Sequence, residues 1–515
     1  MPLFISTLLT PDCYKHPVDK PQLIETHISW VILTGTYAYK IKKPVNFGFL
    51  DFSTLEKRHF FCQEELRLNR RLAPDMYLAV VPIVGSADKP EMDGKGNAFE
   101  YAVRMLQFPQ ENQLDHMLDR NELSVEHIDQ IALLIARFHQ DNVVADNDTP
   151  FGDPEHVYQP VDENFKQIRE NINGQDHLES LEKLQHWSKN QFKALHSTFE
   201  ARKRNRYIRE CHGDMHLRNM VLQDNKPLVF DCIEFNPNLR WIDVINEIAF
   251  FIMDMHNRQR YQIAWRFLNI YLEQTGDYEG VVVLPFYLQY RAMVLAKVHA
   301  IRANQPSISQ EQKLLEEYEF SGYLKLGLSF TETATPRLII THGMPASGKS
   351  TLAEELSENL GAIRIRSDVE RKRLFGLRPD EKSAAGVNQG IYTGDATQRT
   401  YKRLSVLANL ILDTGYSVIV DATFSELEQR MLFHQLATEK LIPFIIIDLN
   451  APPELLRQRI LDRENDVSDA DLAVLEEKLG TWKPLTDSEK EQTIIIDTNI
   501  DIDMPSLVSK IRTHQ

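Results

Sequence analysis

Residues 343–350 read Gly-Met-Pro-Ala-Ser-Gly-Lys-Ser and follow the apolar run Leu338-Ile339-Ile340. The spacing fits GxxxxGKS/T, a loop whose glycines let backbone N–H groups converge on phosphate when the loop joins a strand to a helix. A glycine-containing turn that only caps a helix is the plain structural alternative. The apolar run before the loop favours the first interpretation, which predicts a parallel α/β sheet with a nucleotide site.

The nucleotide site is predicted to use nine consecutive residues. Lys349 offers positive charge to the β- and γ-phosphates, and the Ser350 hydroxyl can ligate Mg²⁺. The full set of predicted nucleotide ligands in this loop is Gly343, Met344, Pro345, Ala346, Ser347, Gly348, Lys349, Ser350 and Thr351.

The chain after Pro336 alternates short apolar runs with helical segments, the pattern of a parallel α/β sheet. Five strands are predicted, at residues 337–341, 362–366, 417–420, 443–449 and 493–496. Asp368 follows the second strand and Asp421 ends the third, so both are expected at the sheet edge where ligands of open α/β folds gather. Asp421 is a candidate to orient Mg²⁺ or the substrate.

Residues 366–368, Arg-Ser-Asp, with Arg371 one helical turn beyond, resemble the small P-loop kinases related to polynucleotide kinase, zeta toxin, chloramphenicol phosphotransferase and gluconate kinase. The resemblance implies that Asp368 is a general base, which accepts the proton of an acceptor hydroxyl. Helix capping by Asp368 is the structural alternative, and the two roles are compatible.

Three arginines after Pro452-Pro453 resemble the arginine-bearing lid of the same kinases. Arg457 and Arg463 are predicted nucleotide ligands. On a helix only Arg459 and Arg463, four residues apart, share a face, so the spacing leaves open which arginine reaches phosphate. A solvated charged helix is the alternative.

A second, unrelated signature occupies residues 212–219, His-Gly-Asp-Met-His-Leu-Arg-Asn, and fits HxDxxxxN. The residues that follow predict a β-hairpin, which delivers Asn219 and Asp231 to the same end. Two oxygen-bearing side chains placed side by side suit Mg²⁺, and Asp214 can take or orient the acceptor hydroxyl.

This signature resembles the aminoglycoside phosphotransferase and choline kinase superfamily, over about residues 25–325. Residues 37–40, Tyr-Ala-Tyr-Lys, resemble the VAIK strand, which implies that Lys40 binds the α- and β-phosphates. Lys42 projects to the same face of the strand and is the alternative. Glu64 or Glu65 is the expected ion-pair partner, and Asp243 resembles the aspartate that braces the catalytic loop.

The nucleotide-covering loop departs from the family pattern. Residues 33–37, Leu-Thr-Gly-Thr-Tyr, contain one glycine and no GxGxxG. The phosphate grip of this half is therefore in question, and a nucleotide-binding regulatory protein with a degenerate amino-terminal kinase domain is an alternative function.

The two signatures predict two domains, because 515 residues exceed one ordinary hydrophobic core. Residues 1–330 are predicted to form a protein-kinase-like bilobal α+β domain. Residues 336–515 are predicted to form an α/β P-loop kinase domain with a five-stranded parallel sheet. The polar segment Phe-Thr-Glu-Thr-Ala-Thr-Pro at 330–336 is the expected join. The order of the halves resembles bacterial fusion proteins.

Composition limits the partners. The formal net charge of -16 disfavours loose binding to nucleic acid, although a local basic groove and a nucleic acid 5′-hydroxyl kinase stay compatible with it. Four widely spaced cysteines, a start without the features of a signal peptide and the lack of an apolar run near 18 residues predict a reduced cytoplasmic protein with no membrane partner.

These observations predict an ATP- and Mg²⁺-dependent, bifunctional phosphotransferase. The γ-phosphate is expected to pass to a hydroxyl group of a small-molecule or nucleotide-like acceptor. The identity of either acceptor and the oligomeric state are left open by the sequence.

Overall fold

The computed structural model describes residues 1–48, 50–172, 174–305, 308–381, 390–462 and 472–514. Contacts divide the chain into two compact units that do not follow chain order. Unit 1 comprises Met1–Glu170 and Ser188–Asp254, and unit 2 comprises Asn171–Trp187 and Met255–Gln515. The join at residues 330–336 stays a prediction, since the helices that precede it group with the second unit.

Unit 1 contains a six-stranded antiparallel sheet in the order β1-β2-β3-β6-β4-β5. The strands are β1 Gln22–Glu25, β2 Ser29–Leu33, β3 Tyr37–Lys42, β4 Tyr77–Ser86, β5 Lys89–Met92 and β6 Ala98–Leu106. Two short pairs follow, formed by β7 Ile208–Glu210 with β10 Trp241–Asp243 and by β8 Met220–Gln223 with β9 Lys226–Val229.

Both faces of β3 are covered. Tyr39 and Ile41 pack into one apolar cluster, while Ala38 packs into a second cluster with Cys62 of the helix that follows β3. Because side chains alternate along a strand, Lys40 and Lys42 share the face of Ala38 and lie in the protein interior.

The helices of unit 1 surround the two short strand pairs and the sheet. Two of them, α6 and α7, run across the boundary between the units. The helices up to residue 257 are α1 Leu3–Thr7, α2 Leu55–Asn69, α3 Leu114–Asp119, α4 Val125–Asp141, α5 Pro154–Asn171, α6 Gln175–Arg204 and α7 Val244–Asn257.

Unit 2 is built on a five-stranded parallel sheet in the order β12-β13-β11-β14-β15. The strands are β11 Leu338–Gly343, β12 Ala362–Arg366, β13 Ser417–Asp421, β14 Phe444–Asn450 and β15 Thr493–Asp497. Each lies within a residue or two of its predicted position. Continuous buried apolar runs explain the agreement, since strands covered on both faces need them.

Helices connect these strands, and three further helices precede the sheet in the chain. The helices of unit 2 are α8 Tyr261–Thr275, α9 Leu284–Ala303, α10 Gln310–Ser329, α11 Lys349–Leu360, α12 Ser367–Leu374, α13 Gly394–Asp413, α14 Leu427–Lys440, α15 Pro453–Leu461, α16 Leu472–Thr481, α17 Asp487–Lys490 and α18 Met504–Thr513.

All four cysteines are buried with free thiols. None of the helices in the described ranges combines the length and the apolar character that crossing a membrane requires.

Candidate active sites

Two lysines of β3 meet one glutamate of α2 inside unit 1. Lys40 Nζ lies 2.8 Å from Glu65 Oε1, and Lys42 Nζ lies 2.8 Å from Glu65 Oε2. Lys40 also contacts Asp231, and Lys42 contacts Glu234. The two lysines therefore differ in position. Lys40 contacts Asp231, the candidate metal ligand, whereas Lys42 contacts Glu234, three residues further along the chain.

The sequence left open whether Glu64 or Glu65 pairs with the lysine. The partner is Glu65, because Glu64 instead forms an ion pair with Arg67 at 2.9 Å. Neighbouring residues of a helix point about 100° apart, so one of the two faces β3 and the other does not. Burial alone would raise the pKa of Glu65, but the ammonium groups of Lys40 and Lys42 lower it to about 2.

The predicted hairpin β8–β9 brings Asn219 and Asp231 to the same end. The Phe230 N–H donates to Asn219 O at 2.9 Å, which closes the hairpin beyond its strands. Asn219 Nδ2 donates to Asp214 Oδ2 at 2.9 Å, so these two predicted side chains are in contact. Asp231 adopts the left-handed region at φ 65°, a conformation that such a residue holds only when its surroundings fix it.

Glu247 of α7 binds the backbone at the start of the predicted catalytic loop, residues 212–219. One oxygen accepts the His212 N–H at 2.5 Å and the other accepts the Gly213 N–H at 2.7 Å. His212 Nε2 donates to Phe230 O at 2.9 Å and its Nδ1 accepts the Asp214 N–H at 3.2 Å, which requires the neutral imidazole. Burial lowers the pKa of His212, in agreement with that form.

Sequence reasoning missed Glu247 and its companion Asp254, whose Oδ2 accepts the Leu217 N–H at 3.0 Å. The two acids are seven residues apart in a helix that is otherwise largely apolar, so they share one face. That spacing is the signal that could have found them. Asp243, which resembles the bracing aspartate, forms two hydrogen bonds with Arg202, at 2.5 and 2.8 Å.

His216 lies beside the candidate base, with Nε2 3.4 Å from Asp214 Oδ2. Burial lowers the pKa of His216, but the Asp214 carboxylate outweighs burial and raises it overall. The predicted base of unit 1 therefore has a titratable cation as its neighbour.

The nucleotide-covering loop of this half is a tight turn. Thr34 N–H donates to Tyr37 O at 2.9 Å, which leaves Gly35 and Thr36 as the turn itself. Gly35, at φ 91°, donates its N–H to Gln107 Oε1 at 2.8 Å. The loop is therefore short and fastened to the end of β6.

The P-loop of unit 2 depends on its first glycine. A Cβ atom at Gly343 would lie 2.7 Å from Leu449 O and 2.8 Å from Ser347 Oγ, and φ is 148°. Gly348 opens α11 at φ 89°, and Ala346 also lies in the left-handed region at φ 65°. Backbone of this kind can turn successive N–H groups toward one anion.

Lys349 curls over the loop that it ends. Its Nζ donates to Gly343 O at 3.0 Å and to Met344 O at 2.6 Å. The Ser350 side chain is exposed at the start of α11, while Ser347 Oγ is buried without a hydrogen-bond partner in the described part of the chain. Lys349 thus contacts the loop backbone, and the exposed Ser350 follows it in the first turn of α11.

A cavity of about 360 Å³ adjoins the P-loop, lined by Ala346, Gly348, Thr351, Leu352, Glu355, Arg459, Thr498 and Ile502. Arg459 fastens one wall, because it donates to Thr498 O at 2.7 Å and to Ala346 O at 3.4 Å. The cavity is large enough for a nucleobase or ribose, and Thr351 lies at its margin.

Of the two described arginines that were predicted to belong to the lid, Arg459 contacts the P-loop at Ala346 O. Arg457 forms an exposed hydrogen-bonded ion pair with Glu476 at 2.7 Å. Arg463 lies outside the described residues.

The predicted acceptor side lies at the carboxyl ends of β12 and β13, where Arg366 pairs in register with Asp421. Arg366 Nε is 3.7 Å from Asp421 Oδ2. Asp368 is half-buried in the first turn of α12, two residues after the N-cap Arg366, so the predicted capping alternative is wrong. Arg371, predicted to lie nearby, donates to Ile391 O at 3.0 Å and to Thr397 Oγ1 at 3.1 Å.

Comparison with known proteins identifies the family. The uncharacterized protein Rv2004c of Mycobacterium tuberculosis is 30% identical over 465 residues, which cover 89% of this chain and 90% of that protein. The chain belongs to the family of Rv2004c. Within it, residues 338–485 match the AAA_33 model, described as an AAA domain.

Solved structures of kinases resemble each half. Amicoumacin kinase hAmiN, in complex with AMP-PNP, Ca²⁺ and Ami, is 13% identical, covering 63% of this chain and 92% of its own with a TM-score of 0.39. The APS kinase of Mycobacterium tuberculosis is 18% identical, covering 35% of this chain and 96% of its own with a TM-score of 0.26.

Residues 338–485 therefore belong to an AAA_33 domain, which is built on the five-stranded parallel sheet. The predicted fold class is confirmed. The donor groups at both predicted metal positions are oxygens, from Ser350 and Asp421 in one unit and from Asn219 and Asp231 in the other. Hydroxyl, amide and carboxylate oxygens fit Mg²⁺.

Proposed function

We propose that unit 2 is an ATP- and Mg²⁺-dependent phosphotransferase that transfers the γ-phosphate to a hydroxyl group of a small-molecule or nucleotide-like acceptor. The position of Lys349 carries this proposal. Its ammonium group lies over the P-loop carbonyls, 2.6 Å from Met344 O, beside the exposed Ser350. A bound triphosphate would replace those carbonyls as the partner of the ammonium group.

Asp368 is the proposed base. The acceptor oxygen attacks the γ-phosphorus, its proton passes to the Asp368 carboxylate, and the bond to the β-phosphate oxygen breaks to release ADP. Mg²⁺, held by Ser350 and oriented by Asp421, would neutralise phosphate charge. The cavity beside Arg459 is the proposed site of the nucleoside.

Unit 1 is proposed to carry a second phosphotransferase. Asp214 would take the acceptor proton, Asn219 and Asp231 would hold Mg²⁺, and Lys40 would bind phosphate once released from Asp231. The hydrogen bond between Asn219 and Asp214 supports this assignment, because the two proposed roles then belong to side chains in contact.

A regulatory role of unit 1 is the second candidate. The short turn at Gly35 and Thr36, fastened to Gln107, favours it, because that turn offers little backbone to cover a triphosphate. In that case unit 1 would bind nucleotide without phosphorylating an acceptor.

The experiment is ATP consumption by the full chain against a mixed library of metabolites and nucleotides, including a 5′-hydroxyl oligonucleotide, with products read by mass spectrometry. Lys349→Ala and Asp214→Ala are run beside the wild type. Lys402→Ala and Asp141→Ala, at exposed positions, are the matched controls.

A product lost in one variant assigns that reaction to one unit. We expect Lys349→Ala to reduce turnover in unit 2 by about 10²-fold or more. Unchanged turnover and ATP affinity in Lys349→Ala would contradict the function of unit 2. ATP binding that survives Asp214→Ala, with no product from unit 1 in either protein, would favour the regulatory role.

A further inference from the structure

Helix α8 covers the edge of the parallel sheet. Strand β12 lies at one edge of the sheet, so its outer backbone groups need partners from elsewhere. Asn269 supplies two of them, because its Nδ2 donates to Ala362 O at 3.0 Å and its Oδ1 accepts the Arg364 N–H at 2.7 Å. A helix from the stretch that the sequence assigned to the preceding domain is thus part of this sheet edge.

The same helix contributes one carboxylate to two arginines of β12. Glu273 Oε2 accepts from Arg364 Nη2 at 3.1 Å, and Glu273 Oε1 accepts from Arg366 Nη1 at 2.7 Å. The two arginine side chains are 4% and 12% exposed and that of Glu273 is 15% exposed. Ion pairs this far from water are not screened as surface pairs are.

Arg366 lies between this glutamate and the proposed acceptor side. Its Nη1 is within hydrogen-bonding distance of Glu273, whereas its Nε is 3.7 Å from Asp421 Oδ2, beyond that distance. Burial lowers the pKa of Arg366, but the carboxylates of Glu273, Asp421 and Asp368 outweigh burial and raise it. All three carboxylates thus act on one guanidinium group, and Glu273 holds it most closely.

The end of α8 is tied to α12 as well. Arg373 Nη2 donates to Glu273 O at 2.5 Å, and a Cβ atom at Gly276 would lie 2.5 Å from Arg373 Nε. Gly276, at φ 75°, ends α8 in the left-handed region, where glycine is favoured. Residues before and after the segment 366–368 in the chain therefore contact α8.

We propose that Glu273 is a positioning residue of the phosphotransfer site of unit 2, and that it acts by holding the Arg366 guanidinium away from Asp421. The proposal rests on the proposed function of that unit. Without Glu273, Arg366 closes on Asp421 and occupies the carboxylate that orients Mg²⁺ and substrate. Helix α8 is then a working part of this site.

The test uses the full chain with Asp214→Ala as background, so that unit 1 does not contribute turnover. We expect Glu273→Gln to lower ATP turnover by about tenfold or more, while the affinity for a non-hydrolysable ATP analogue measured by calorimetry changes by less than about twofold. The matched control is Glu279→Gln, an exposed glutamate six residues away, which should change neither quantity.

A double-variant cycle separates positioning from general support of the fold. Because Glu273 acts through Arg366, the variant with both Glu273→Gln and Arg366→Gln should be no slower than Arg366→Gln alone, within about twofold. Additive losses would overturn the proposal, as would wild-type turnover in Glu273→Gln. If Glu273→Gln unfolds about 5 °C or more below the control, Glu273→Asp replaces it. This shorter carboxylate should still lower turnover, and wild-type turnover in it would overturn the proposal too.

Lys349→Ala in the same background distinguishes the two failures. If Lys349→Ala keeps turnover and analogue affinity, the proposed function of unit 2 is wrong. If Lys349→Ala loses both and Glu273→Gln behaves as wild type, only the positioning role is wrong.

Discussion

The two units hold the lysines that are proposed to bind phosphate in opposite ways. In unit 1, Lys40 is held by carboxylates from distant parts of the chain, with Glu65 25 residues away and Asp231 191 residues away. In unit 2, Lys349 is held by backbone carbonyls only five and six residues before it. One lysine depends on tertiary structure and the other on a single loop.

This difference has consequences for stability. A buried network of charges cannot lose one member without leaving another uncompensated, whereas backbone carbonyls of a loop can turn to water. Substitutions in the lysine cluster of unit 1 should therefore damage the fold and the site together. Substitution of Lys349 should damage the site alone.

The largest effect is expected from Lys42→Met compared with Lys349→Met. Lys42→Met leaves Glu234 buried without its cation, and removal of one partner of a buried ion pair costs about 3–5 kcal/mol. Lys349→Met should change the free energy of unfolding by less than about 1 kcal/mol. Urea titration followed by tryptophan fluorescence compares the two variants.

The pH dependence of the loss in unfolding free energy caused by Lys42→Met provides a control. Burial raises the pKa of Glu234, so the folded protein binds a proton there more readily than the unfolded chain does. The stabilisation from the Glu234 proton is lost as the pH rises. The loss in unfolding free energy caused by Lys42→Met should therefore become smaller as the pH falls toward 5. Equal unfolding midpoints for Lys42→Met and Lys349→Met at pH 8 would break the comparison between the units.

A smaller effect is expected where unit 2 does use a distant residue. Arg459 connects Thr498 to the P-loop carbonyl of Ala346, 113 residues away in the chain. Arg459→Ala should weaken binding of a non-hydrolysable ATP analogue by about three- to tenfold, which corresponds to the loss of one typical hydrogen bond. Arg457→Ala should change it by less than about twofold, because exposed ion pairs contribute little.

Calorimetric titration of both arginine variants measures this difference. Equal affinities for Arg457→Ala and Arg459→Ala would mean that the cavity wall formed by Arg459 does not contact the nucleotide. A larger loss in Arg457→Ala would mean that its ion pair with Glu476 opens when nucleotide binds.

The same difference between local and tertiary contacts decides how much of each unit the sequence predicts. The P-loop and its five strands were predictable, because local periodicity and a contiguous motif determine them. The hairpin that joins Asn219 to Asp231 was also predictable, since Asp224 and Asn225 suit a two-residue turn, and both have positive φ.

The partners of those motifs could not be predicted from sequence. The choice of Glu65 over Glu64 depends on how α2 rotates against the sheet, and local spacing does not determine that rotation. Glu247 accepts from Gly213, 34 positions away, and Glu273 accepts from Arg366, 93 positions away. Such contacts arise from tertiary packing, and the grouping of α8 with the parallel sheet arises in the same way.

The smallest effect is expected from His216, which makes the proposed base of unit 1 pH-sensitive. The Asp214 carboxylate raises the pKa of His216, so the folded protein binds this proton more tightly than the unfolded chain. The stabilisation is fully present below the unfolded pKa and is lost as the pH rises through the folded one. His216→Gln should therefore lower the free energy of unfolding more at about pH 5.5 than at about pH 8.5, by less than about 1 kcal/mol.

His27→Gln, at an exposed position, is the control. A pH-independent difference between His216→Gln and the wild type would show that the imidazole acts in unit 1 only through packing.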